Sequence, residues 1–337
     1  MPLSVTRPVG LALDRTKRVC FQPFEAGKWF TLGFCAFLAM LGEGGAGSGF
    51  QYRKGGRPPW GGNLTSARHW FHANLDWLIP VGALVLIIGI GLTLLFTWLH
   101  CRGKFMFIDG VVRNRGAVVE PWHALRRPAN RLFRVYLVLT LIGLGFSALV
   151  GGICLAVAWP DMAAGRFSDQ AGIALGLGLV LFIPFAIAMA VVQFVIRDFV
   201  VPTMYLHGEG FRTAWATVRR EVLAGHGWTI FLYMLMKFVL GMAIAIVAIV
   251  VMLLTCCIAM LPYIGTVILL PLWVFAQAYP LYFLEQIGPG WRFFPDDPAG
   301  PFCRTCGYNL HGNVSGVCPE CGTPPYPAAG PPPTAPF

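Results

Sequence analysis

Cys303-Arg304-Thr305-Cys306-Gly307 and Cys318-Pro319-Glu320-Cys321-Gly322 are the residues of this chain best suited to chemistry. Each C-x-x-C turn can place two thiolates on one metal ion, and two such turns complete a tetrahedral shell of four sulfurs. A glycine after each second cysteine suits a turn that needs positive φ. A module of this size cannot bury a hydrophobic core and needs a staple. Zinc fits Cys303, Cys306, Cys318 and Cys321 best, with iron in a rubredoxin-like site as the second choice. Two disulfides are the alternative, which a reducing compartment disfavours. With all four positions filled by thiolates the metal has no open position, so the expected role is structural and not catalytic.

Other constellations are weaker. His69, His72 and Asp76 stand at i, i+3 and i+7, on one face of a helix entering an apolar segment, where a divalent ion could bind. Beside Trp70 and Trp77 they also fit a wet interfacial helix. Gly42-Glu43-Gly44-Gly45-Ala46-Gly47 matches G-x-G-x-x-G, but it follows an apolar segment and enters a loop, not the strand-to-helix turn that a dinucleotide requires. Lys237 lies within an apolar stretch; the expected behaviour is snorkelling to the headgroups, since a transport path would need a carboxylate partner and the spans offer none apart from Asp198 at a helix end. Cys154, Cys256 and Cys257 read as small buried residues. No catalytic constellation emerges.

The elements that position these residues are set by the solvent. The chain is 56% hydrophobic and 12% charged, half the charge of an ordinary soluble domain. From Phe238 to Leu284 there is no charged side chain at all, and a bilayer takes about 20 apolar residues per helix. The expected fold is an all-α polytopic membrane protein of about six transmembrane helices: Trp29 to Leu41, Leu78 to Leu99, Val135 to Trp159, Ile173 to Ile196, Trp228 to Leu254 and Ile264 to Leu284. Pro262 and Gly265 suggest a tight hairpin before the last. Residues 1–28 form an N-terminal segment without a cleavable signal peptide. The membrane domain covers 29–285, a Pro/Gly linker 286–302, the zinc ribbon 303–322 and a disordered Pro-rich tail 323–337.

The net charge of +10 flanks the apolar segments, which encodes topology and does not point to nucleic acid. Arg102, Lys104, Arg113, Arg115, Arg126, Arg127, Arg131 and Arg134 mark segment 100–134; Arg197, Arg212, Arg219 and Arg220 mark 197–226. Both, with the N-terminus, are expected in the cytoplasm of a bacterial cell, the chain lying in the inner membrane. Segment 42–77 disagrees, with Arg53, Lys54, Arg57 and Arg68 on the expected outer side.

The two basic segments repeat one pattern. Asp109-Gly110-Val111-Val112 precedes Trp122-His123-Ala124-Leu125-Arg126-Arg127, and Asp198-Phe199-Val200-Val201 precedes Trp215-Ala216-Thr217-Val218-Arg219-Arg220. The pattern implies two parallel repeats of span, interfacial helix and span. Trp122, Arg126, Arg127, Trp215, Arg219 and Arg220 are the expected contacts to lipid phosphates, or ordinary basic flanks with belt tryptophans.

Two resemblances follow from these residues. C-x-x-C-G-Y-x-L-x-G…C-P-E-C-G at 303–322 resembles a short zinc ribbon appended to uncharacterised bacterial proteins, often membrane proteins. Pro23-Phe24 with Gly27-Lys28-Trp29, Asp109, Trp122 through Arg127, and Asp198 through Arg220 resemble uncharacterised multi-pass bacterial proteins similar to the membrane domain that precedes glycerophosphodiester phosphodiesterases. The phosphodiesterase chemistry lies in a separate soluble domain there and does not carry over.

The expected function is a non-enzymatic membrane scaffold, with residues 288–337 docking a cytoplasmic protein. The alternatives are a small-molecule transporter or channel, suggested by the repeats and by Gly143, Gly145, Gly172, Gly176 and Gly178, and lipid handling at the inner leaflet.

Overall fold

The computed structural model describes residues 3–41, 74–163, 169–255, 258, 261–294, 308, 315 and 317–322. Among these every regular element is helical. In chain order they are α1 (Arg7–Phe21), α2 (Ala26–Met40), α3 (Leu75–Arg113), α4 (Val119–Ala124), α5 (Arg126–Ala163), α6 (Asp169–Val195), α7 (Val201–His207), α8 (Phe211–Thr217), α9 (Gly227–Leu254), α10 (Pro262–Ile268) and α11 (Leu270–Leu284). A π-helical turn at Ile196–Val200 joins α6 to α7, and a second at Val218–Leu223 follows α8. Pro202 explains the first: without an N–H it cannot bond the Asp198 carbonyl, so the helix widens there instead of breaking.

Among the described residues, four helical stretches are long and apolar enough to cross a membrane: Leu75–Arg113, Arg126–Pro160, Gly172–His207 and Gly227–Leu254. They contain the second to fifth expected spans. Each carries a run of exposed large side chains, such as Leu84 to Ile88 on α3 and Ile246 to Val250 on α9. Side chains such as Leu86 (64% exposed), Leu144 (66%), Val180 (68%) and Leu253 (68%) could not face water in such numbers.

The other end of the molecule is a packed body. It joins α1, α2, the last part of α3 from His100 to Val112, the first π-turn, α7 and α11 into one apolar cluster that includes Phe105, Phe199, Tyr233, Tyr279 and Phe283. Arg15 of α1 is buried and donates to the carbonyls of Val111 (3.0 and 3.1 Å) and Val112 (2.6 Å), the last turn of α3. Those carbonyls lack intrahelical donors, so a buried guanidinium satisfies them and favours the negative end of the helix dipole. Ser4 and Gln286 exchange backbone and amide hydrogen bonds of 2.8 and 2.9 Å, tying the N-terminal segment to the end of α11.

The first and last expected spans take a different form. α2 has only 15 residues, about 22 Å at helical rise. It runs antiparallel to the body end of α3: Lys28 lies against Gly116, Leu32 against Gly110, and Leu38 and Ala39 against Gly103. The last apolar segment is bent by 69° between α10 and α11. Pro262, expected in a tight hairpin, opens α10 at a position where its missing N–H costs nothing. α2 and α10 meet through Trp29 Nε1, which donates to the Val267 carbonyl at 2.7 Å, and Tyr263 OH, which donates to the Phe30 carbonyl at 3.1 Å. α11 is then buried in the body from Ala278 to Leu284.

The first part of the expected linker packs on the body. Glu285 Oε1 accepts from the backbone N–H groups of Phe293 and Phe294, both at 2.9 Å. Trp291, Phe293 and Phe294 are buried, and Trp291 Nε1 donates to Glu221 Oε2 at 3.1 Å. Residues 286–294 therefore belong to the body.

Backbones touch where α2 crosses α3. A Cβ on Gly103 would stand 2.5 Å from the backbone of Leu38 and Ala39. Gly103→Ala is expected to destabilise the detergent-solubilised protein by about 3 kcal/mol through overpacking. Gly89→Ala, further along the same helix with nothing within 4 Å, should be neutral or gain up to about 1 kcal/mol from helix propensity. Thermal unfolding of the two variants checks the contrast; equal shifts would deny the close crossing.

Candidate functional site: two buried aspartates and an arginine-lined trough

The repeated D-x-V-V motif places both aspartates inside the body, where Asp109 is 2% and Asp198 1% exposed. A carboxylate out of water must be hydrogen-bonded and paired. Both are, in parallel ways.

Asp109 sits one turn before the end of α3. Asn114 ends that helix in the left-handed conformation, at φ 53°, and the reversal brings Arg115 back over the carboxylate. Arg115 Nη2 lies 3.1 Å from Oδ2, Arg113 Nε 3.1 Å from Oδ1, and Tyr205 OH of α7 donates to Oδ1 at 2.9 Å. Arg115 also forms a two-point contact with Glu120, at 2.7 and 3.2 Å. Burial alone would lower the Arg115 pKa, but the hydrogen bonds and charges of Glu120 and Asp109 outweigh it and raise it. The Arg115 hydrogen bond, then its charge, holds the exposed Glu120 carboxyl below its ordinary range. The contact is thus fully present above the ordinary carboxylate pKa and is lost as pH falls through the depressed one.

Asp198 lies in the first π-turn. Tyr233 OH of α9 donates to Oδ2 at 2.9 Å, Arg197 Nε lies 3.1 Å from Oδ1, and Lys237 Nζ pairs with Oδ2. Tyr233 and Lys237 are i and i+4 on α9, so one helical face delivers both partners. Tyr233 is held in turn by stacking on Tyr279, at 5.3 Å and 6°, and by Phe283 at 4.4 Å. This corrects the snorkelling expected for Lys237: its amine points inward to a carboxylate and does not reach for headgroups. The two tyrosines and the capping role of Arg15 were not found by sequence reasoning. Tyr233, four residues before an intramembrane lysine, was the available signal.

The tryptophans of the two repeats diverge. Pro128 has no N–H for the Ala124 carbonyl, so α4 stops after six residues and Arg126 and Arg127 open α5. Trp122 packs edge-on against Trp98 at 5.7 Å, with the Arg102 guanidinium over both rings at 4.5 and 4.6 Å. In the second repeat the chain continues into a π-turn that carries Arg219 and Arg220, and Arg220 pairs with Glu221 at 3.1 Å. Arg126, Arg127, Arg219 and Arg220 are all exposed. Trp215 is half-buried, stacks on Phe211 at 6.0 Å, and lines a trough of about 680 Å³ whose cations are Arg131, Arg134 and Arg212.

Of the expected metal ligands, Cys303, Cys306, His69 and His72 lie outside the described residues, as do the glycine-rich run 42–47 and Cys256 and Cys257. Asp76 stands in the first turn of α3. Cys318 is buried and Cys321 exposed; Gly322 has φ +69°, and its N–H donates to the Cys318 carbonyl at 2.9 Å. Among the described residues no three histidine, cysteine or acidic side chains gather as a metal site. Cys20 on α1 has its thiol pushed up to about 12 by burial, so it is neutral at pH 7 and a poor nucleophile.

Among the described residues, an all-helical fold with four membrane-length helices and two closed ionic sites is the class of protein these observations define. Residues 3–288 match DUF7544, a family of unknown function, and the chain belongs to that family. No curated protein and no solved structure matches it.

The Asp198 site carries a stability prediction. Lys237→Met leaves a buried carboxylate short of one cation and is expected to cost about 3 kcal/mol. Adding Asp198→Asn should recover part of that loss. Thermal unfolding in detergent measures both, and an unchanged Lys237→Met would return that lysine to the headgroups.

Proposed function

We propose that this protein is a non-enzymatic scaffold of the bacterial inner membrane, with six crossings, both termini cytoplasmic and a C-terminal zinc ribbon as its docking module. The carrying observation is the anchoring of residues 286–294. Glu285, Trp291, Phe293 and Phe294 bind residues 286–294 to the body, so a partner held by the segment that follows is coupled mechanically to the membrane domain. The two buried carboxylates of the repeat are paired with tyrosines and cations, which supports a structural use of both.

Parity supports the six crossings. If α3 crosses, it begins on the side opposite Arg15, which holds its far end; the chain must therefore cross once between α1 and α3. The same holds between Leu254 and Tyr279, whose hydroxyl reaches the Val5 carbonyl at 3.1 Å. With the four long helices this supports six, and the Ser4–Gln286 pair keeps the N-terminal segment beside the end of α11.

For the ribbon, the turn from Cys318 to Gly322, closed by a glycine at positive φ, is a backbone that suits two thiolates on one ion. Cys303 and Cys306 would supply the other two. Zinc there would hold the module folded and take no part in a reaction.

The full chain should purify with about one equivalent of zinc or iron, and Cys318→Ser with Cys321→Ser should lose it. Deletion of residues 295–337, which spares the buried Phe293 and Phe294, should abolish co-purification of a cytoplasmic partner without shifting thermal unfolding of the membrane domain. Metal content below about half an equivalent would argue against the ribbon, and partners retained by the deletion would argue against docking through the tail.

A further inference from the structure

We propose that the trough between α5, α6 and α8 is a binding site for one anionic phospholipid, with its phosphate on Arg131, Arg134 and Arg212 and an acyl chain along the α5–α6 groove. The proposal is independent of the scaffold reading.

Arg131 and Arg134 are i and i+3 on α5 and share a face. Arg212 arrives from the second position of α8, and the contact between the two elements is direct: a Cβ on Gly210 would stand 3.5 Å from Arg131 Nη1. All three line the trough. Among the described residues none of the three has an ion-pair partner, whereas Arg113, Arg115, Arg197 and Arg220 each have one. The rest of the lining is mainly apolar, with Val135, Leu139 and Val192 from the spans and the stacked Phe211 and Trp215 from α8.

The trough does not end at the arginines' level. Leu139 also lines a second concavity, of about 390 Å³, that runs along the same two helices past Gly143 and is mixed in character, with Phe182, Phe185 and Met189 beside Thr140, Ser147 and Gln193. There Phe146 and Phe185 stack at 3.8 Å and 14°. Val138, Leu141 and Val191 beside it are exposed, so the groove opens on the apolar surface of the spans. An occupant must therefore carry negative charge at one end and hydrocarbon at the other. Arginine guanidinium groups recognise phosphate oxygens through paired, charge-assisted hydrogen bonds. A free phosphate would leave the apolar length unfilled, and a zwitterionic lipid would bring a cation to a cationic site. The arginines of the two W-x-x-φ-R-R motifs do not line this trough; its cations come from outside those motifs.

Native mass spectrometry of the full chain in detergent, titrated with dioleoylphosphatidylglycerol, dioleoylphosphatidylcholine or inorganic phosphate, tests the site. Phosphatidylglycerol should bind at about one per chain and at least about tenfold more tightly than phosphatidylcholine, with no comparable binding of phosphate. Arg131→Gln with Arg134→Gln and Arg212→Gln should abolish that preference. Val138→Trp, which fills the trough from its exposed side, should weaken phosphatidylglycerol binding with all three arginines in place. Arg126→Gln with Arg127→Gln, Arg219→Gln and Arg220→Gln should change it by no more than about twofold. The proposal fails if both lipids bind alike, if phosphate competes as well as the lipid, if Val138→Trp leaves binding unchanged, or if the second arginine set matters as much as the first.

Discussion

A charge that has left water must be neutralised where it stands, and in this protein that requirement shapes the body around two aspartates. Asp109 can be buried because α3 ends one turn later in a left-handed residue that folds Arg115 back, and because α7 brings Tyr205 from another part of the chain. Asp198 can be buried because α9 presents Tyr233 and Lys237 on one face. Each carboxylate thus fixes the relative position of elements far apart in sequence. Arg15 extends the logic from side chain to backbone: the carbonyls at the end of α3 need donors, and α1 is placed to supply them. The aromatic cluster of Phe199, Tyr233, Tyr279 and Phe283 fills the space between these polar anchors and keeps solvent from weakening them.

This division gives the molecule two ends with different solvents. The body has a dry core in the ordinary sense, and it holds the buried charges. The long helices beyond it present aliphatic side chains outward, as a bilayer requires and water forbids. Where backbones approach within the body, glycine is the means, as at Gly103 of α3 against α2 and at Gly33 of α2 against Val267. Between the two ends, at the level of the basic residues, α5, α6 and α8 leave a trough lined by three arginines and by mainly apolar side chains. A boundary between a polar body and hydrocarbon is where an amphipathic ligand would be recognised by both of its parts.

The repeat visible as D-x-V-V and W-x-x-φ-R-R shows how unequal duplicated sequence can become in three dimensions. Its aspartates are equivalent in burial and in pairing with tyrosine. Its tryptophans are not: Trp122 is sandwiched with Trp98 and Arg102, while Trp215 lines the trough. One residue accounts for much of this. Pro128 interrupts the first interfacial helix, and the second copy, lacking that proline, winds on through a π-turn.

Composition and hydropathy by themselves located the apolar stretches of the four long helices, because a membrane-length apolar run is a local property that no distant contact can conceal, but the ends of three of them lie well beyond the expected spans, at Arg113, Arg126 and His207. They also identified the turn glycine Gly322 and the aspartates as members of a repeat. What only the tertiary structure decided was pairing. Lys237 and Asp198 are 39 positions apart, Tyr205 and Asp109 96 apart, and Ser4 and Gln286 282 apart, so no window along the chain contains both partners. The same reason governs α2 and the bent α10–α11 segment, whose apolar residues match a span in composition but pack in part against other helices of the body, and residues 287–294, where Gly288-Pro289-Gly290 resembles a linker until Glu285 and Glu221 are seen to hold Trp291, Phe293 and Phe294. Hydropathy reports that a residue avoids water; whether lipid or protein replaces that water is settled by what the fold brings beside it.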